Sequence, residues 1–261
     1  MIHELRLFFI ALQFLTRVPV PGWVGYRPEW MHASARHFPA VGLVVGTFGA
    51  LVLWAAAHLW PAAVAVGLSM VATVWLTGAF HEDGLADTAD ALGGAVSRER
   101  SLEIMKDSRI GSYGSVALVA VLGLKAAALY GLVVRDFAVT MAALPLAHAV
   151  SRAVPVLLLR LLPYAGDAEH AKAKPMAQQA SDATLAVAVL WCVIAGVMAV
   201  VCGVDIVHAA LAALCALAVA LLMARWLKAR LGGYTGDTLG AAQQGAELAM
   251  YLALLAALSH G

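Results

Sequence analysis

Residues 38–81 read FPAVGLVVGTFGALVLWAAAHLWPAAVAVGLSMVATVWLTGAFH and contain no Asp, Glu, Lys or Arg. A helix needs about 20 mostly apolar residues to cross the hydrocarbon layer of a bilayer. The stretch is therefore long enough for two spans, which we place at 38–60 and 62–81. Pro61 lies between them and, because proline breaks a helix, indicates a very short turn. The stretch predicts a tight hairpin of two membrane-spanning helices.

The same apolar pattern recurs towards the C-terminus. Further candidate spans are 115–134, 140–162, 184–204, 206–225 and 239–258. We expect an all-α polytopic integral membrane helical bundle of six to seven transmembrane helices. The whole chain, 1–261, is then a single membrane domain. It has a cytoplasmic or interfacial N-terminal segment, 1–37, and a cytoplasmic segment with acidic motifs, 82–114.

The N-terminal segment has the pattern of a helix that lies on a membrane surface. Residues 2–16 alternate apolar and polar positions at helical spacing, which is typical of interfacial helices. The apolar positions that share one face are Leu5, Phe8, Phe9, Leu12 and Leu15. Further along the chain, Gly42 and Gly46 form a G-x-x-x-G pair, which lets helix backbones approach closely.

Composition excludes several classes of function. The chain is 62% hydrophobic and only 13% charged, whereas soluble domains have about 25% charged residues. The net charge of +1 gives no basic surface for nucleic acid. The three cysteines, Cys192, Cys202 and Cys215, lie apart in apolar runs and have neither metal-ligand spacing nor a disulfide pattern.

The positive charges orient the spans. If the N-terminus is cytoplasmic, 14 of the 17 Lys and Arg residues, Lys172 and Lys174 among them, fall on the cytoplasmic side. Only Arg135 falls on the opposite side, and Lys125 and Arg152 lie within spans. This asymmetry follows the positive-inside rule. The same topology brings the acidic motifs to the cytoplasmic face, which predicts one reaction site there.

The first acidic motif is GAFHEDGLADTADALGG, residues 78–94. On a helix, Asp83, Asp87 and Asp90 occupy positions i, i+4 and i+7, which is one face. Three carboxylates on one face repel one another unless a cation lies among them. Mg²⁺ commonly takes one or two carboxylates together with substrate phosphates. We therefore expect a magnesium site here, and the alternative is a solvated acidic loop.

Two glycine-rich motifs precede later spans. In the first, residues 106–114, Asp107 is a further carboxylate, and Arg109 either pairs with it or holds a phosphate. Gly111 and Gly114 would leave backbone N–H groups free for an anion. In the second, residues 232–240, Asp237 belongs to the site, caps the last helix or does both.

Charged side chains within spans are costly and usually face a partner or a cavity. Lys125 and Arg152 either pair with Glu247 or line a cleft for an anionic substrate. The sequence leaves both alternatives open, and Gln243 and Gln244 on the last span fit either one.

Together these segments resemble the cobalamin synthase family, the adenosylcobinamide-GDP ribazoletransferases. The matching stretches are 14–21, 38–42, 81–90, 105–114 and 232–240, so the resemblance covers nearly the whole chain. At Glu82 the family more often has an apolar residue, which leaves the three aspartates untouched.

The resemblance implies a reaction that joins adenosylcobinamide-GDP to α-ribazole or its 5′-phosphate and releases GMP. It also implies Mg²⁺ as the cofactor and the cytoplasmic membrane of a prokaryote as the location. We expect metal binding by Asp83, Asp87 and Asp90, and catalytic roles for Asp107, Arg109 and Asp237. The expected substrate-binding residues are Arg17, Lys125, Arg152, Gly111 and Gly114.

Three other functions fit parts of the sequence. A membrane phosphotransferase or phosphatase acting on a lipid diphosphate would carry the same aspartate row. A transporter would use the charged residues within the spans, and a structural anchor would hold other pathway enzymes. The small-residue faces also permit a homo-oligomer or association with other corrinoid-pathway enzymes.

Overall fold

The computed structural model describes residues 2–166 and 180–260, so Lys172 and Lys174 lie outside the described residues. Within that part of the chain, helices make up the fold, and β structure is limited to one isolated bridge between Tyr164 and Tyr234. The helices are α1 Ile2–Leu15, α2 Pro28–Ser34, α3 Phe38–Ala57, α4 Ala62–Thr77, α5 Phe80–Leu92, α6 Arg98–Ile104, α7 Ser112–Arg135, α8 Phe137–Leu161, α9 Asp182–Val201, α10 Ile206–Leu231 and α11 Gly236–His260. The all-α prediction is confirmed.

Five helical segments among the described residues are long and apolar enough to cross a membrane. They are α2 together with α3, and then α7, α8, α9 and α10. Helices α4 and α5 pass the same test only as a pair, which would make a sixth span, but the pair bends by 88°. The chain is thus a multi-pass membrane protein, with five candidate spans, or six if the bent pair counts as one, against the six to seven predicted.

The predicted hairpin of α3 and α4 is confirmed. Pro61 is the N-cap residue of α4, so the turn is as short as the sequence indicates. The Ser69 hydroxyl on α4 donates to the Gly49 carbonyl on α3 at 2.7 Å. Gly42 and Gly46 let α3 contact the backbone of α8 at His148 and Leu144, as a G-x-x-x-G pair predicts.

The second predicted span, 62–81, is interrupted near its end. Gly78 ends α4 in the left-handed conformation, with φ of 67°, which glycine adopts at little cost. Ala79 follows with φ of 58°, and α5 then begins at Phe80 in a new direction. The acidic helix α5 therefore leaves the line of α4 and lies beside the spans.

The last predicted span, 239–258, lies within α11, whose composition is not apolar enough to count among the candidate spans. The reason is a set of polar residues in its middle, Gln243, Gln244 and Glu247, all buried in the protein. Helix α11 packs against α5, α7, α8 and α10. It forms the centre of the bundle.

Helix α1 packs on α3 with Leu7, Ile10 and Ala11, which are buried. Of the apolar positions predicted to share one face, Leu12 and Leu15 are buried in the protein, whereas Leu5 is 47% exposed. The location of α1 at the membrane surface stays a prediction.

Candidate active site

Helix α5 carries the aspartate row on a regular helix, as predicted. Asp83 is exposed, and Asp87 and Asp90 are half-buried, whereas Gly84 and Thr88 between them are buried. The helix therefore turns Gly84 and Thr88 to the bundle and its three aspartates outward. This arrangement follows from the spacing of three and four residues between the aspartates.

Helix α11 brings a fourth carboxylate to this row. A Cβ atom at Gly84 would lie 2.7 Å from the carbonyl oxygen of Asp237, so the two helix backbones touch there. A Cβ atom at Gly240, about one turn further along α11, would lie 3.2 Å from the carbonyl oxygen of His81. Only small residues permit this approach, and it sets the start of α11 beside Asp83 and Asp87.

The electrostatics confirm that these carboxylates lie close together. Burial, together with the negative charges of Asp83, Asp237 and Asp90, raises the pKa of Asp87 to about 7. Burial and the charge of Asp83 also raise the pKa of Asp237. Like charges raise the pKa of a carboxyl only when they are near it. We call Asp83, Asp87, Asp90 and Asp237 the acidic cluster.

Asp237 is free to belong to this cluster because another residue caps α11. The Thr235 hydroxyl accepts from the Thr238 backbone N–H at 3.3 Å, and the Thr238 hydroxyl accepts from the Thr235 N–H at 2.9 Å. This is a reciprocal capping arrangement. The alternative that Asp237 is the cap is therefore wrong.

Asp90 connects the first acidic motif to the glycine motif that follows it. Its carboxylate accepts from the backbone N–H of Gly111 at 2.7 Å and of Gly114 at 2.8 Å. The expectation that these two N–H groups are free for a phosphate is not met, because Asp90 satisfies the open N-terminus of α7. The carboxylate is favourably placed there, since a helix N-terminus attracts negative charge.

Asp107 and Arg109 form the ion pair that the sequence left as one alternative. Arg109 Nη2 lies 2.7 Å from Asp107 Oδ2, and both side chains are exposed. Hydrogen bonds from Arg109 lower the pKa of Asp107 to about 2. The pair lies in the connection between α6 and α7, in the same segment as Gly111.

Arg17 lies at the corner between α4 and α5. Its backbone N–H donates to the Leu76 carbonyl at 2.8 Å, and its exposed guanidinium lies over Gly78. Within the described part of the chain, no hydrogen bond or ion pair engages that guanidinium. Arg17 is thus a cation available to an anionic ligand.

Lys125 and Arg152 are buried in the bundle instead. Lys125 Nζ lies 3.0 Å from Glu247 Oε1, which is the pairing that the sequence left open. Arg152 donates to the ring and to the carbonyl of His148, each at 3.0 Å. With exposed fractions of 6% and 2%, neither residue lines an open cleft, and their roles as substrate ligands stay predictions.

Comparison with known proteins assigns the chain to a protein family. The family model described as cobalamin-5-phosphate synthase matches residues 7–255. The chain belongs to this family. A protein of Leptothrix cholodnii named adenosylcobinamide-GDP ribazoletransferase is 69% identical over 256 residues, covering 98% of this chain and 97% of that protein.

More distant relatives carry the same name. The protein of Shewanella amazonensis is 47% identical, with 97% of this chain and 96% of the relative covered. A Vibrio cholerae protein is 44% identical, with 99% and 96% covered. No solved structure matches the chain. The resemblance to the cobalamin synthase family is confirmed.

The acidic cluster suits a hard cation by its chemistry, although it is no complete metal cage. No group of three or more His, Cys, Asp or Glu side chains within residues 2–166 and 180–260 is arranged to hold a metal ion. Mg²⁺ does not need such a group, because it keeps waters and takes substrate phosphates beside one or two carboxylates. Carboxylates that raise the pKa of one another fit a site of this kind.

The sequence did not predict which polar side chains inside the bundle bond to one another. Gln243 and Gln244 contact Glu247, Lys125 and Glu82 in one buried network. The available signal was the run of Gln243, Gln244 and Glu247 in a span that is otherwise apolar. That run shows that partners must exist, but it does not say on which helices they lie.

Proposed function

We propose that this chain is an adenosylcobinamide-GDP ribazoletransferase. It transfers the adenosylcobinamide phosphate group from adenosylcobinamide-GDP to α-ribazole or α-ribazole 5′-phosphate, and it releases GMP. The main observation that supports this proposal is the 69% identity to a relative of that name over nearly the full length of both chains. The acidic cluster between α5 and α11 supports the same chemistry.

The reaction needs positioning and charge neutralisation more than it needs a reactive side chain. A hydroxyl of the ribazole attacks a phosphorus of the diphosphate, and GMP leaves with the bonding electrons. Such transfers are catalysed mainly by holding the groups in line and by stabilising charge on the phosphoryl oxygens. Cations and fixed donors beside the acidic cluster supply these functions.

Mg²⁺ is the cofactor in this proposal. Asp83, Asp87 and Asp237 would hold it, whereas Asp90 is already bonded to the N-terminus of α7. The bound ion would neutralise charge on the diphosphate oxygens. Burial and then repulsion from the neighbouring carboxylates raise the pKa of Asp87, and a bound cation would offset both because it stabilises the ionised carboxyl.

The remaining residues orient the substrate. The exposed Arg17 guanidinium beside the corner of α4 and α5 can hold a phosphate through its planar fork. Asp107 is poorly suited to accept the proton of the attacking hydroxyl, because its pKa is about 2. We assign Asp107 to orienting Arg109, whose guanidinium then faces the nucleotide.

The membrane setting follows from the charge distribution of the sequence. We propose the cytoplasmic membrane of a prokaryote as the location, with the acidic cluster on the cytoplasmic side.

The test compares substrates on the purified protein in liposomes. One sample receives adenosylcobinamide-GDP with α-ribazole, a second a lipid diphosphate, and a third is assayed for corrinoid flux across sealed vesicles. The proposal expects GMP release in the first sample only. Turnover of the lipid diphosphate alone would replace the proposed function with that of a phosphotransferase. Corrinoid flux without turnover would replace it with that of a transporter.

A further inference from the structure

A chain of buried hydrogen bonds begins directly behind the acidic cluster. Gln244 Nε2 on α11 donates to Glu82 Oε1 on α5 at 2.9 Å. Gln244 Oε1 accepts from Lys125 Nζ on α7 at 2.8 Å, and Lys125 pairs with Glu247 at 3.0 Å. All four side chains are at least nine-tenths buried. Three helices are thus joined through one amide.

The chemistry of these neighbours explains why an amide stands at position 244. Its partners on other helices are a cation, which can only donate, and a carboxylate, which accepts; the Gln243 oxygen on α11 also accepts from its Nε2 at 3.0 Å. A primary amide offers an acceptor to the first and a donor to the second, so its orientation is fixed. A carboxylate in this place would repel Glu82, and an apolar side chain would leave both charges with one partner fewer.

The Glu82–Gln244 bond lies where it can set the geometry of the acidic cluster. Glu82 precedes Asp83 on α5, and Gln244 lies about two helical turns along α11 from Asp237. The two backbones touch at Gly84 and Asp237 and again at His81 and Gly240. These contacts set how closely the helices approach, and the directional Glu82–Gln244 hydrogen bond fixes how α5 is rotated against α11.

We propose that Glu82 and Gln244 are positioning residues that hold α5 against α11 and so keep Asp83 and Asp87 beside Asp237, where these carboxylates would take a divalent cation together with water and substrate phosphates. The proposal deepens the function proposed above and rests on its assignment of the metal to the acidic cluster. Neither residue touches the ion or the substrate. Each acts by fixing the helix that carries the ligands.

Gln243 provides a matched control. It is as fully buried as Gln244, with exposed fractions of 0% and 2%, and it stands next to Gln244 on the same helix. Its amide donates to Ser151 on α8 at 3.0 Å and to Glu247 at 2.7 Å, and its oxygen accepts from Gln244 Nε2 at 3.0 Å. None of its own bonds reaches α5, and Gln244 can keep its bond to Glu82 when Gln243 is replaced. A general loss of packing would affect both glutamines, whereas a positioning role belongs to Gln244 alone.

The experiment measures cation binding without turnover. Mn²⁺, which accepts the same oxygen ligands as Mg²⁺, is titrated into the full-length protein in nanodiscs, and free Mn²⁺ is followed by electron paramagnetic resonance. We expect Gln244→Met to weaken Mn²⁺ binding about tenfold, the effect of losing one hydrogen bond to a charged group. Gln243→Met should stay within about threefold of wild type.

A second pair of variants tests the other partner of the bond. Glu82→Gln keeps an oxygen that accepts from Gln244 and should stay within about threefold of wild type, whereas Glu82→Leu should weaken binding about tenfold. Equal losses in Gln243→Met and Gln244→Met, or no loss in Gln244→Met and Glu82→Leu, would overturn the positioning role. If wild type binds Mn²⁺ but releases no GMP, the proposed function fails separately.

Discussion

Asp87 is the residue at which the charges of the site meet. It lies on α5 between Asp83 and Asp90, and Asp237 reaches it from α11. Burial and then the charges of these neighbours raise its pKa to about 7, so the protein alone does not balance the charge of the cluster. A divalent cation would offset negative charge of the cluster and would also attract the negative phosphates of the substrate.

The first prediction concerns the proposed metal ligands. Asp83→Asn and Asp87→Asn should each lower turnover below about 1% of wild type, since each removes a charge that holds the ion. Both variants should still insert and fold, because neither carboxylate makes a hydrogen bond within the described residues. GMP release from purified protein measures the effect.

Asp182→Asn is the matched control for that pair of variants. Asp182, at the start of α9, is also exposed, but it pairs with Arg160. It does not belong to the acidic cluster, so we assign it no role in the reaction. Its substitution should leave turnover near wild type. Near-normal activity in Asp83→Asn or Asp87→Asn would count heavily against the metal assignment.

The second prediction is a pH dependence of cation binding. A cation binds the ionised carboxyl, so binding should strengthen as pH rises through the Asp87 pKa of about 7, by about tenfold between pH 6 and pH 8. The metal-free fold should behave in the opposite way. Its Asp87 holds a proton that the unfolded chain releases near pH 4, so its stability falls as pH rises from about 4 to 7.

Mn²⁺ titration and thermal unfolding at several pH values check both halves of this prediction. Asp87→Asn removes the titrating group and should flatten the pH dependence of whatever binding remains. A wild-type affinity that stays constant from pH 6 to pH 8 would show that Asp87 is not part of the cation site.

At the scale of elements, the apolar pattern predicted most helices correctly. For two helices, however, the end of one and the position of the other depend on tertiary contacts. The α3–α4 hairpin follows from hydropathy and Pro61 alone. The end of α4 at Gly78 does not, because the bend depends on how α5 packs on α11 through Gly84. Helix α11 likewise owes its position to polar partners on α5, α7 and α8, which a pattern within one segment cannot identify.

The third prediction separates the two contributions of Asp90. Asp90→Ala removes the acceptor for the Gly111 and Gly114 N–H groups and should lower stability by about 0.5–2 kcal/mol, the usual cost of losing a cap. It should also lower turnover, because the same bonds hold α5 against the start of α7. Thermal unfolding in detergent and GMP release measure the two effects.

Asp205→Ala removes a comparable cap at the other end of the bundle. Asp205 accepts from the Val207 and His208 N–H groups at the start of α10, far along the chain from the acidic motifs. Its loss should lower stability by a similar amount and leave turnover near wild type. Equal turnover in the two variants would mean that Asp90 is a cap only.

For the whole molecule, the function was predicted from the asymmetric distribution of positive charge and from the family resemblance. The role of each charged residue depends on whether its side chain is buried. Asp83, Asp87 and Asp237 could be placed at one site because their motifs share a membrane side. The sequence could not decide whether Lys125 pairs with Glu247 or lines a substrate cleft, since its position within a span fits either role. Only the packing of α7 against α11 distinguishes them.

The fourth prediction tests the orientation of the bundle. Cys202 is exposed in the turn between α9 and α10, at the end opposite the acidic cluster. After Cys192 and Cys215 are replaced by Ala, it should react with a membrane-impermeant maleimide in intact cells. Arg100→Cys, on the exposed face of α6, should react only after permeabilisation when Cys202 is also removed. The reverse pattern would place the acidic cluster outside.

The most direct test of the central claim is a turnover assay on the wild-type protein in liposomes. Adenosylcobinamide-GDP and α-ribazole are supplied with Mg²⁺, then with EDTA, and then with Mg²⁺ restored, while GMP and cobalamin are quantified together. The account predicts GMP and cobalamin in equal amounts, loss of both in EDTA and recovery with Mg²⁺. A well-folded sample that releases no GMP, or that releases it equally in EDTA, would contradict a metal-dependent ribazole transfer at the acidic cluster.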